Sequence, residues 1–376
     1  MIVDLFAGPG GWSTGLNLIG RAETVGIEWD KAACDTARAA GHERLQADIA
    51  ELDPYTIGGS NVEGLIASPP CQGFSMAGKG KGREDSALII AAAGDIASGA
   101  DPRDTLRAKV KDERSVLALE PLRWALELEP EWTAWEQVPA VLPLWEACAE
   151  ALRADGYNVW AGLVQAEQYG VPQTRKRAIL TASRYGAVDR PTPTRSKYNT
   201  RNASQLDGFP KWVSMAEALG DIPGQVMRSN YGSGGDASKR GQRLISEPAP
   251  TVTSKIGRNK WLGVEAPAWT RSRPAPTVVG TRRSVDGMVI GRRLAPGQSA
   301  QVGGWDGSVG LKPGQIEGVP VTVQEAGVLQ SFPADYPWQG TKTDQCRQVG
   351  DAVPPLMAAH ILASLGVGKL TTEAAA

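Results

Sequence analysis

Short apolar runs alternate with longer amphipathic stretches over about the first 183 residues. The run Met1–Leu5 predicts a strand that leads into a glycine-rich turn, and Trp12–Ile19 predicts the helix that follows. Further strands are predicted at Thr24–Ile27 and Gly64–Ala67. This alternation favours an α/β fold with a Rossmann-like, mostly parallel sheet and helices on both faces. Such sheets bind ligands at the carboxyl ends of their strands, so the residues just after each strand are the first candidates for chemistry.

Polar and aromatic side chains follow the predicted strands. The turn Ala7–Gly11 brings backbone amides close to a ligand, although its spacing is not Gly-x-Gly-x-x-Gly and disfavours a dinucleotide. Glu28 can accept both ribose hydroxyls of a nucleoside, and the Trp29 indole can lie on its base. Asp48 is placed to accept from an exocyclic amine. Any one of these acids is more often a helix cap or a solvated loop charge, but three strand ends at one crevice favour a nucleoside site.

A cysteine follows the strand Gly64–Ala67 in the sequence Ser-Pro-Pro-Cys-Gln-Gly-Phe-Ser, residues 68–75. Two prolines fix φ and remove backbone donors just before Cys71, and Gly73 frees the chain just after it. A buried structural cysteine, the commoner kind, needs neither feature. We therefore predict that Cys71 is presented at a strand end as a nucleophile.

Two later segments add charged side chains to the same crevice. A strand ends near Glu136, beside the expected position of the strand that precedes Cys71, and a glutamate there can act as an acid. The segment Gln173–Arg177 is extended, and alternate residues of an extended segment face the same side. Arg175 and Arg177 are therefore expected to point together.

In this order the motifs resemble those of the cytosine-5 DNA methyltransferases. The resemblance extends over almost the whole chain and leaves out chiefly about 130 residues before Glu317, a stretch that varies in this family. The resemblance is specific because six motifs occur in the same order as in the family. They are Asp4–Gly11, Pro69–Gln72, Glu136–Val138, Gln173–Arg177, Glu325–Pro333 and Gln348–Pro355.

The resemblance implies methyl transfer to carbon 5 of a cytosine that is flipped out of duplex DNA. In that mechanism the Cys71 thiolate attacks carbon 6, and Glu136 hydrogen-bonds at ring nitrogen 3 and the exocyclic amine. Arg177 and Arg175 would help at the carbonyl. The segment after Cys71 is the expected wedge, and its contacts with DNA are assigned to Gln72 and Ser75.

The methyl donor implied by the resemblance is S-adenosylmethionine. Its amino-acid end would be cradled by the turn Ala7–Gly11, and the remaining contacts match residues at the other strand ends. The expected cofactor contacts are Phe6, Ala7, Gly8, Pro9, Gly10, Gly11, Glu28, Trp29, Asp48, Ile49, Pro70, Asp351 and Ala352.

The chain departs from the family's pattern at three places. The usual Glu-Asn-Val reads Glu136–Val138 with Gln137 in the middle, and the usual Gly-Asn reads Gly350-Asp351. Both changes leave the catalytic groups in place. The third departure is an alanine-, glycine- and aspartate-rich insert at roughly Ile89–Lys111, which predicts an enlarged mobile catalytic loop.

Charge is divided sharply along the chain, although the net charge is only −1. Residues 190–312 hold 19 Lys or Arg and 8 Asp or Glu, so this stretch carries +11 and the remainder −12. A proline-rich linker at 189–195 marks its start. A basic, loop-rich module inserted into an acidic catalytic domain is best explained by phosphate contact, although a solvated loop-rich domain would look similar. The DNA contacts we predict there are Arg258, Lys260, Arg271, Arg273, Arg282 and Arg283.

These observations predict two domains in a chain of 376 residues. Residues 1–187 form the catalytic S-adenosylmethionine-binding domain, 188–316 a smaller, mainly β target-recognition domain, and 317–376 return to the catalytic domain. Four cysteines without close pairing and two histidines indicate neither a metal site nor a disulfide framework. Without a signal peptide or a spanning apolar run, we expect no membrane contact and a cytoplasmic location, in a bacterium or a phage-infected host.

The expected partner is double-stranded DNA, bound by a monomer, with a cognate restriction endonuclease that acts separately. Three other functions remain open from the sequence. A transfer-RNA cytosine methyltransferase shares the catalytic motifs, but the large basic module favours a duplex reader. A non-catalytic regulator would share the fold, yet Cys71, Glu136 and Arg177 are all present. A nucleotide-dependent oxidoreductase would explain the first three motifs only.

Overall fold

A seven-stranded sheet is formed by strands between residues 2 and 183. The computed structural model describes residues 1–59, 61–70, 81–199, 206–229, 241–262, 284–285, 288–289 and 319–370. The strands of the sheet are β1 (Ile2–Leu5), β2 (Thr24–Glu28), β3 (Glu43–Gln46), β4 (Gly64–Ala67), β5 (Trp132–Gln137), β6 (Asn158–Gln165) and β7 (Lys176–Ser183).

The strand order is β3-β2-β1-β4-β5-β7-β6, and only β7 runs antiparallel to its neighbours. The chain crosses from the β1 side to the β4 side, so a crevice opens between the carboxyl ends of these two strands. In sheets of this kind the ligand binds at that reversal of strand order. The predicted Rossmann-like, mostly parallel sheet is confirmed.

Helices cover both faces of the sheet. Successive residues of a strand point to opposite faces, and accordingly Val3 and Leu5 join one hydrophobic cluster while Ile2 joins the other. No helix within the described ranges has the length and apolar character of a membrane span. The helices are α1 (Gly11–Leu18), α2 (Lys31–Ala39), α3 (Pro54–Gly58), α4 (Lys81–Ala97), α5 (Arg103–Arg107), α6 (Glu120–Leu128), α7 (Leu142–Ala154), α8 (Met215–Leu219), α9 (Val323–Leu329), α10 (Lys342–Asp351) and α11 (Pro355–Ser364).

The stretch predicted to be an enlarged loop is largely helical, so that prediction was wrong for the described residues. Helix α4 runs through the start of the insert, and α5 lies in its second half. Ile89, Ala92, Ala93 and Ile96 are buried in the cluster that includes β1 and β4. Their spacing of three, four and seven residues is that of one helix face, which buries an apolar stripe against the core.

A second, antiparallel sheet has the order β13-β10-β8-β9. Its apolar side chains share one buried cluster with α9 and α10, for example Met227 and Trp261 with Leu329 and Val349. The described part of the predicted recognition domain therefore shares its core with the returning chain. The strands of this sheet are only two or three residues long. Its strands are β8 (Val226–Arg228), β9 (Gln242–Leu244), β10 (Lys260–Leu262) and β13 (Val319–Pro320), and β11 (Ser284–Val285) pairs with β12 (Met288–Val289).

Candidate active site

The glycine-rich turn between β1 and α1 lies at one side of the crevice. Gly10 precedes α1 with a φ of 110°, in the region that favours glycine. A Cβ on Gly11 would lie 2.2 Å from the Val353 carbonyl oxygen, so only glycine lets α1 begin this close to the C-terminal segment. A Cβ on Gly10 would instead meet His42 and Tyr336, which places Gly10 against the back of the turn.

A buried arginine supports this turn from below. Arg44 donates to the carbonyl oxygens of Ala7 at 3.4 Å and Gly8 at 3.3 Å, and to Ser13 Oγ at 3.1 Å. Asp4 is fully buried on β1, and burial raises the pKa of its carboxyl to about 7, although Arg44 acts against the shift. No local motif in the sequence pointed to Arg44, because its partners are more than thirty residues away.

Glu28 joins the turn to the end of β2. Its Oε2 accepts from the Gly8 amide at 2.9 Å, and its Oε1 accepts from the Asp30 amide at 2.8 Å. Burial raises the pKa of Glu28, and the amides of Asp30 and Gly8 oppose that shift. The neighbouring Trp29 is 69% exposed. A fixed, buried acceptor thus lies beside an uncovered indole at the same strand end.

Two acids near the cleft are helix caps. Asp48 accepts from the Ala50 amide at 3.0 Å and caps the 3₁₀ turn Ile49–Glu51. Asp30 caps α2 and pairs with Arg347 at 2.6 Å. Asp48 and Asp30 therefore have the ordinary role of helix caps, and both side chains also line the cleft.

A carboxylate and a guanidinium meet where β5 and β7 run side by side. Arg177 Nε lies 2.7 Å from Glu136 Oε1, and both side chains are largely buried. The next residue, Gln137, donates from its side chain to the Pro69 carbonyl and accepts from the Val138 amide. The glutamine that departs from the family's pattern therefore holds the backbone two residues before Cys71.

Arg175 reaches the cleft but has a different set of partners from Arg177. It is buried and donates to the carbonyl oxygens of Val252 and Gly350, each at 3.0 Å. These bonds join the segment before β7 to the segment between β9 and β10 and to the end of α10. Both arginines line the cleft, and Arg175 in addition ties three segments together through these bonds.

The cleft that these elements enclose has a volume of about 260 Å³. Further lining residues that the sequence reasoning missed include Trp12, Arg114 and Leu117. The Trp12 indole donates to Ser68 Oγ at 2.9 Å and links the glycine-rich turn to the proline-rich segment. The predicted site residues that line the cleft are Phe6, Ala7, Gly8, Pro9, Gly11, Glu28, Trp29, Asp48, Ile49, Pro70, Glu136, Arg175, Arg177, Asp351 and Ala352.

The remaining predicted residues lie elsewhere. Arg258 is the last residue of a 3₁₀ turn and is exposed, whereas Lys260 is the first residue of β10 and is half-buried. Neither residue lines the cleft. Gly10, predicted as a cofactor contact, lies against the back of the turn and does not line the cleft. The others fall outside the described residues: Cys71, Gln72, Ser75, Arg271, Arg273, Arg282 and Arg283.

The fold and the cleft define the class of α/β enzymes that bind a nucleoside-containing ligand at a reversal of strand order. Within that class, the model of the C-5 cytosine-specific DNA methylase family matches residues 1–93 and 104–366. The chain belongs to that family.

Individual relatives support the same assignment. The type II methyltransferase M1.HphI of Haemophilus parahaemolyticus is 26% identical over 96% of this chain and 84% of its own length. M.DdeI of Desulfomicrobium norvegicum, also a type II methyltransferase, is 26% identical over 95% of this chain and 86% of its own length. Among solved structures, a mutant DNMT2 of Spodoptera frugiperda is similar in fold, with a TM-score of 0.57, 15% identity and coverage of 97% and 99% of the two chains.

The protein is therefore a DNA (cytosine-5-)-methyltransferase that uses S-adenosylmethionine as its methyl donor and acts through a covalent cysteine adduct. This excludes the oxidoreductase and the non-catalytic regulator that the sequence left open.

Proposed function

We propose that the cleft holds the methyl donor and the flipped cytosine together, with Cys71 and Glu136 as the catalytic residues and Arg177 as the residue that orients Glu136. This proposal rests on one observation: Glu136 and Arg177, which form an ion pair, line the same cleft as the glycine-rich turn. The main chain leads from β4 through Pro70, at the edge of that cleft, directly to Cys71. The acid and the proposed donor site therefore line one cleft, and the proposed nucleophile is the next residue after Pro70 in the sequence.

The donor side of the cleft fits an adenosine carrying a charged amino-acid group. Glu28 presents carboxylate oxygens suited to ribose hydroxyls, and Trp29 presents an uncovered ring suited to the adenine. The amides of the turn at Ala7–Gly11 suit the carboxylate of the amino-acid end. When bound, S-adenosylmethionine supplies an electrophilic methyl group.

The acceptor side fits a cytosine in which carbon 5 must be made nucleophilic. The Cys71 thiolate forms a bond to carbon 6, and electron density moves to carbon 5 and to ring nitrogen 3. Glu136 holds a proton at nitrogen 3 and is itself oriented by Arg177. After carbon 5 has been methylated, its proton passes to water and the electrons of that C–H bond re-form the double bond to carbon 6. The bond to sulfur breaks with its electron pair on the Cys71 thiolate, and the proton at nitrogen 3 returns to Glu136.

Glu28→Ala is expected to weaken S-adenosylmethionine binding by about 1–3 kcal/mol, because it removes a buried acceptor for ribose hydroxyls. Calorimetry without DNA measures this directly. Glu43→Ala is the matched control, since Glu43 is an exposed acid on the neighbouring strand β3 and does not line the cleft. If the two variants bind S-adenosylmethionine with equal affinity, Glu28 is not part of the donor site.

We further propose that residues 188–316 read a specific DNA sequence. The charge of +11 in residues 190–312 supports this role, and Arg258 and Lys260 are the described candidates for phosphate contact. The large size of this basic module favours a duplex reader over the transfer-RNA alternative.

Arg258→Ala should weaken binding to all duplexes alike and should shallow the salt dependence of binding by roughly 0.9 in log–log slope, as expected for one lost phosphate contact. Binding is measured from low to moderate salt on matched and mismatched duplexes. Arg153→Ala is the control, because Arg153 is an exposed arginine at the end of α7, outside the module. A slope that matches the control's would exclude Arg258 as a phosphate contact.

We propose that the enzyme acts as a monomer in the cytosol, where it protects DNA from a type II restriction endonuclease that acts separately. The type II methyltransferases of Haemophilus parahaemolyticus and Desulfomicrobium norvegicum support this setting. Bisulfite sequencing of DNA from cells that express the chain tests the function and reports the target sequence. Methylation confined to one short motif is the expected result, and unmodified DNA beside methylated transfer RNA would contradict it.

A further inference from the structure

Five charged side chains of alternating sign form a chain beside the cleft. At its centre is Glu120, which is fully buried at the start of α6 and accepts from Arg103 at 2.8 Å and from Arg123 at 2.9 Å. The two arginines in turn contact outer acids: Arg103 lies 2.6 Å from Asp101, and Arg123 lies 3.3 Å from Glu127. Hydrogen bonds from Arg103 lower the pKa of Asp101 to about 2. The central carboxylate is therefore balanced by two arginines, each of which has a second partner.

The same two arginines hold the 3₁₀ turn Ile49–Glu51. Arg123 donates to the carbonyl oxygens of Ile49 at 3.4 Å and Leu52 at 3.3 Å, and Arg103 donates to that of Ala50 at 3.5 Å. A short helical turn leaves its last carbonyls without partners along the chain, and nearby arginines can satisfy them. These long bonds thus hold the backbone of a turn whose cap and first residue also line the cleft.

The start of the turn carries two of the proposed cofactor contacts. Asp48 caps the turn, Ile49 is its first residue, and both line the cleft. A three-residue turn whose carbonyl oxygens are held at Ile49, Ala50 and Leu52 has little freedom to move. A change at the arginines is therefore transmitted to the donor site within a few residues.

One of the two arginines comes from the part of the chain that departs from the family. The family model leaves residues 94–103 unmatched, and Arg103 is the last of them. Its side chain is only 15% exposed, although it lies in the insert between α4 and α6. The insert therefore contributes a largely buried contact to the wall of the donor site.

We propose that Arg103 is a positioning residue for S-adenosylmethionine, which acts through Glu120 and the turn Ile49–Glu51 on Asp48 and Ile49. This inference rests on the proposed donor site in the cleft. A buried ionic group is weak evidence for stability, because desolvation offsets much of its attraction. The fixed geometry of these ion pairs is suited to holding the turn Ile49–Glu51 in one orientation.

Arg103→Ala should weaken the binding of S-adenosylmethionine about tenfold and raise the KM for S-adenosylmethionine by the same factor. An effect of this size is typical of coupling between neighbouring sites. The kcat at saturating donor and the KM for DNA should stay within about twofold of wild type, since no proposed catalytic residue is altered. Arg107→Ala is the matched control from the same helix, because Arg107 pairs only at the surface with Asp104. Donor affinity is measured by calorimetry, kcat and KM by methyl transfer, and folding by thermal melting.

The Glu28→Ala variant separates the two proposals in the same experiment. If Glu28→Ala weakens donor binding and a folded Arg103→Ala does not, the positioning role is overturned while the donor site stands. If neither variant changes the affinity, the donor site itself is misplaced. Should Arg103→Ala fail to fold, Asp101→Ala replaces it, because Asp101 is 56% exposed. That variant should weaken donor binding about threefold, and an unchanged affinity would overturn the positioning role.

Discussion

The Cys71→Ala variant is expected to lose methyl transfer by about a million-fold, the scale measured when an enzyme loses its covalent nucleophile. Carbon 5 of cytosine becomes nucleophilic only after a thiolate has added to carbon 6, so no residual pathway of similar rate is available. Binding of S-adenosylmethionine should be largely preserved, because the thiol is needed only for the adduct. Methyl transfer from labelled donor to duplex DNA, together with calorimetry, measures both quantities.

The control for this variant is Cys346→Ala, which removes a buried thiol from α10 that does not line the cleft. A duplex with 5-fluorocytosine at the target adds a direct readout, since fluorine cannot leave carbon 5 as the proton does. Wild type and Cys346→Ala should both form a complex that resists denaturation, and Cys71→Ala should form none. Appreciable turnover by Cys71→Ala would refute the nucleophile.

Glu136→Gln is expected to lower kcat by about 10²–10³-fold, the usual result of removing one group that stabilises developing charge. The amide keeps the size of the side chain but cannot hold the proton that balances negative charge at ring nitrogen 3. It also weakens the 2.7 Å contact with Arg177. The affinity for S-adenosylmethionine should be unchanged, so the loss should appear in kcat measured at saturating donor.

Two further variants make this test sharper. Glu131→Gln changes an exposed glutamate just before β5 and should leave kcat unchanged. Because groups that act as a unit are not additive, Glu136→Gln combined with Arg177→Gln should cost little more than Glu136→Gln alone. Losses that multiply in the double variant would mean that Arg177 acts on the substrate independently of Glu136.

The strand-end part of the site could be predicted because local patterns determine it. A strand followed by a glycine-rich turn and a helix places residues such as Phe6 and Gly8 at the carboxyl edge of a sheet, whatever the rest of the chain does. The same reasoning places Glu28, Asp48 and Pro70 at that edge, and all of these residues line the cleft. The loop predicted at the insert came from the resemblance to the family, whose mobile catalytic loop lies there, although Ile89, Ala92, Ala93 and Ile96 already had helical spacing.

By itself the sequence determined the family, the sheet, the donor-side contacts and the division of charge, since each depends on local order or on composition. Only the tertiary structure decided the side-chain partners. Arg175 binds carbonyls that lie 77 and 175 residues further along the chain, and Arg103 meets Glu120 across the start of α6. Local periodicity gives the face on which a residue lies, but a hydrogen-bond partner depends on how distant segments pack, and one sequence pattern is compatible with many such packings.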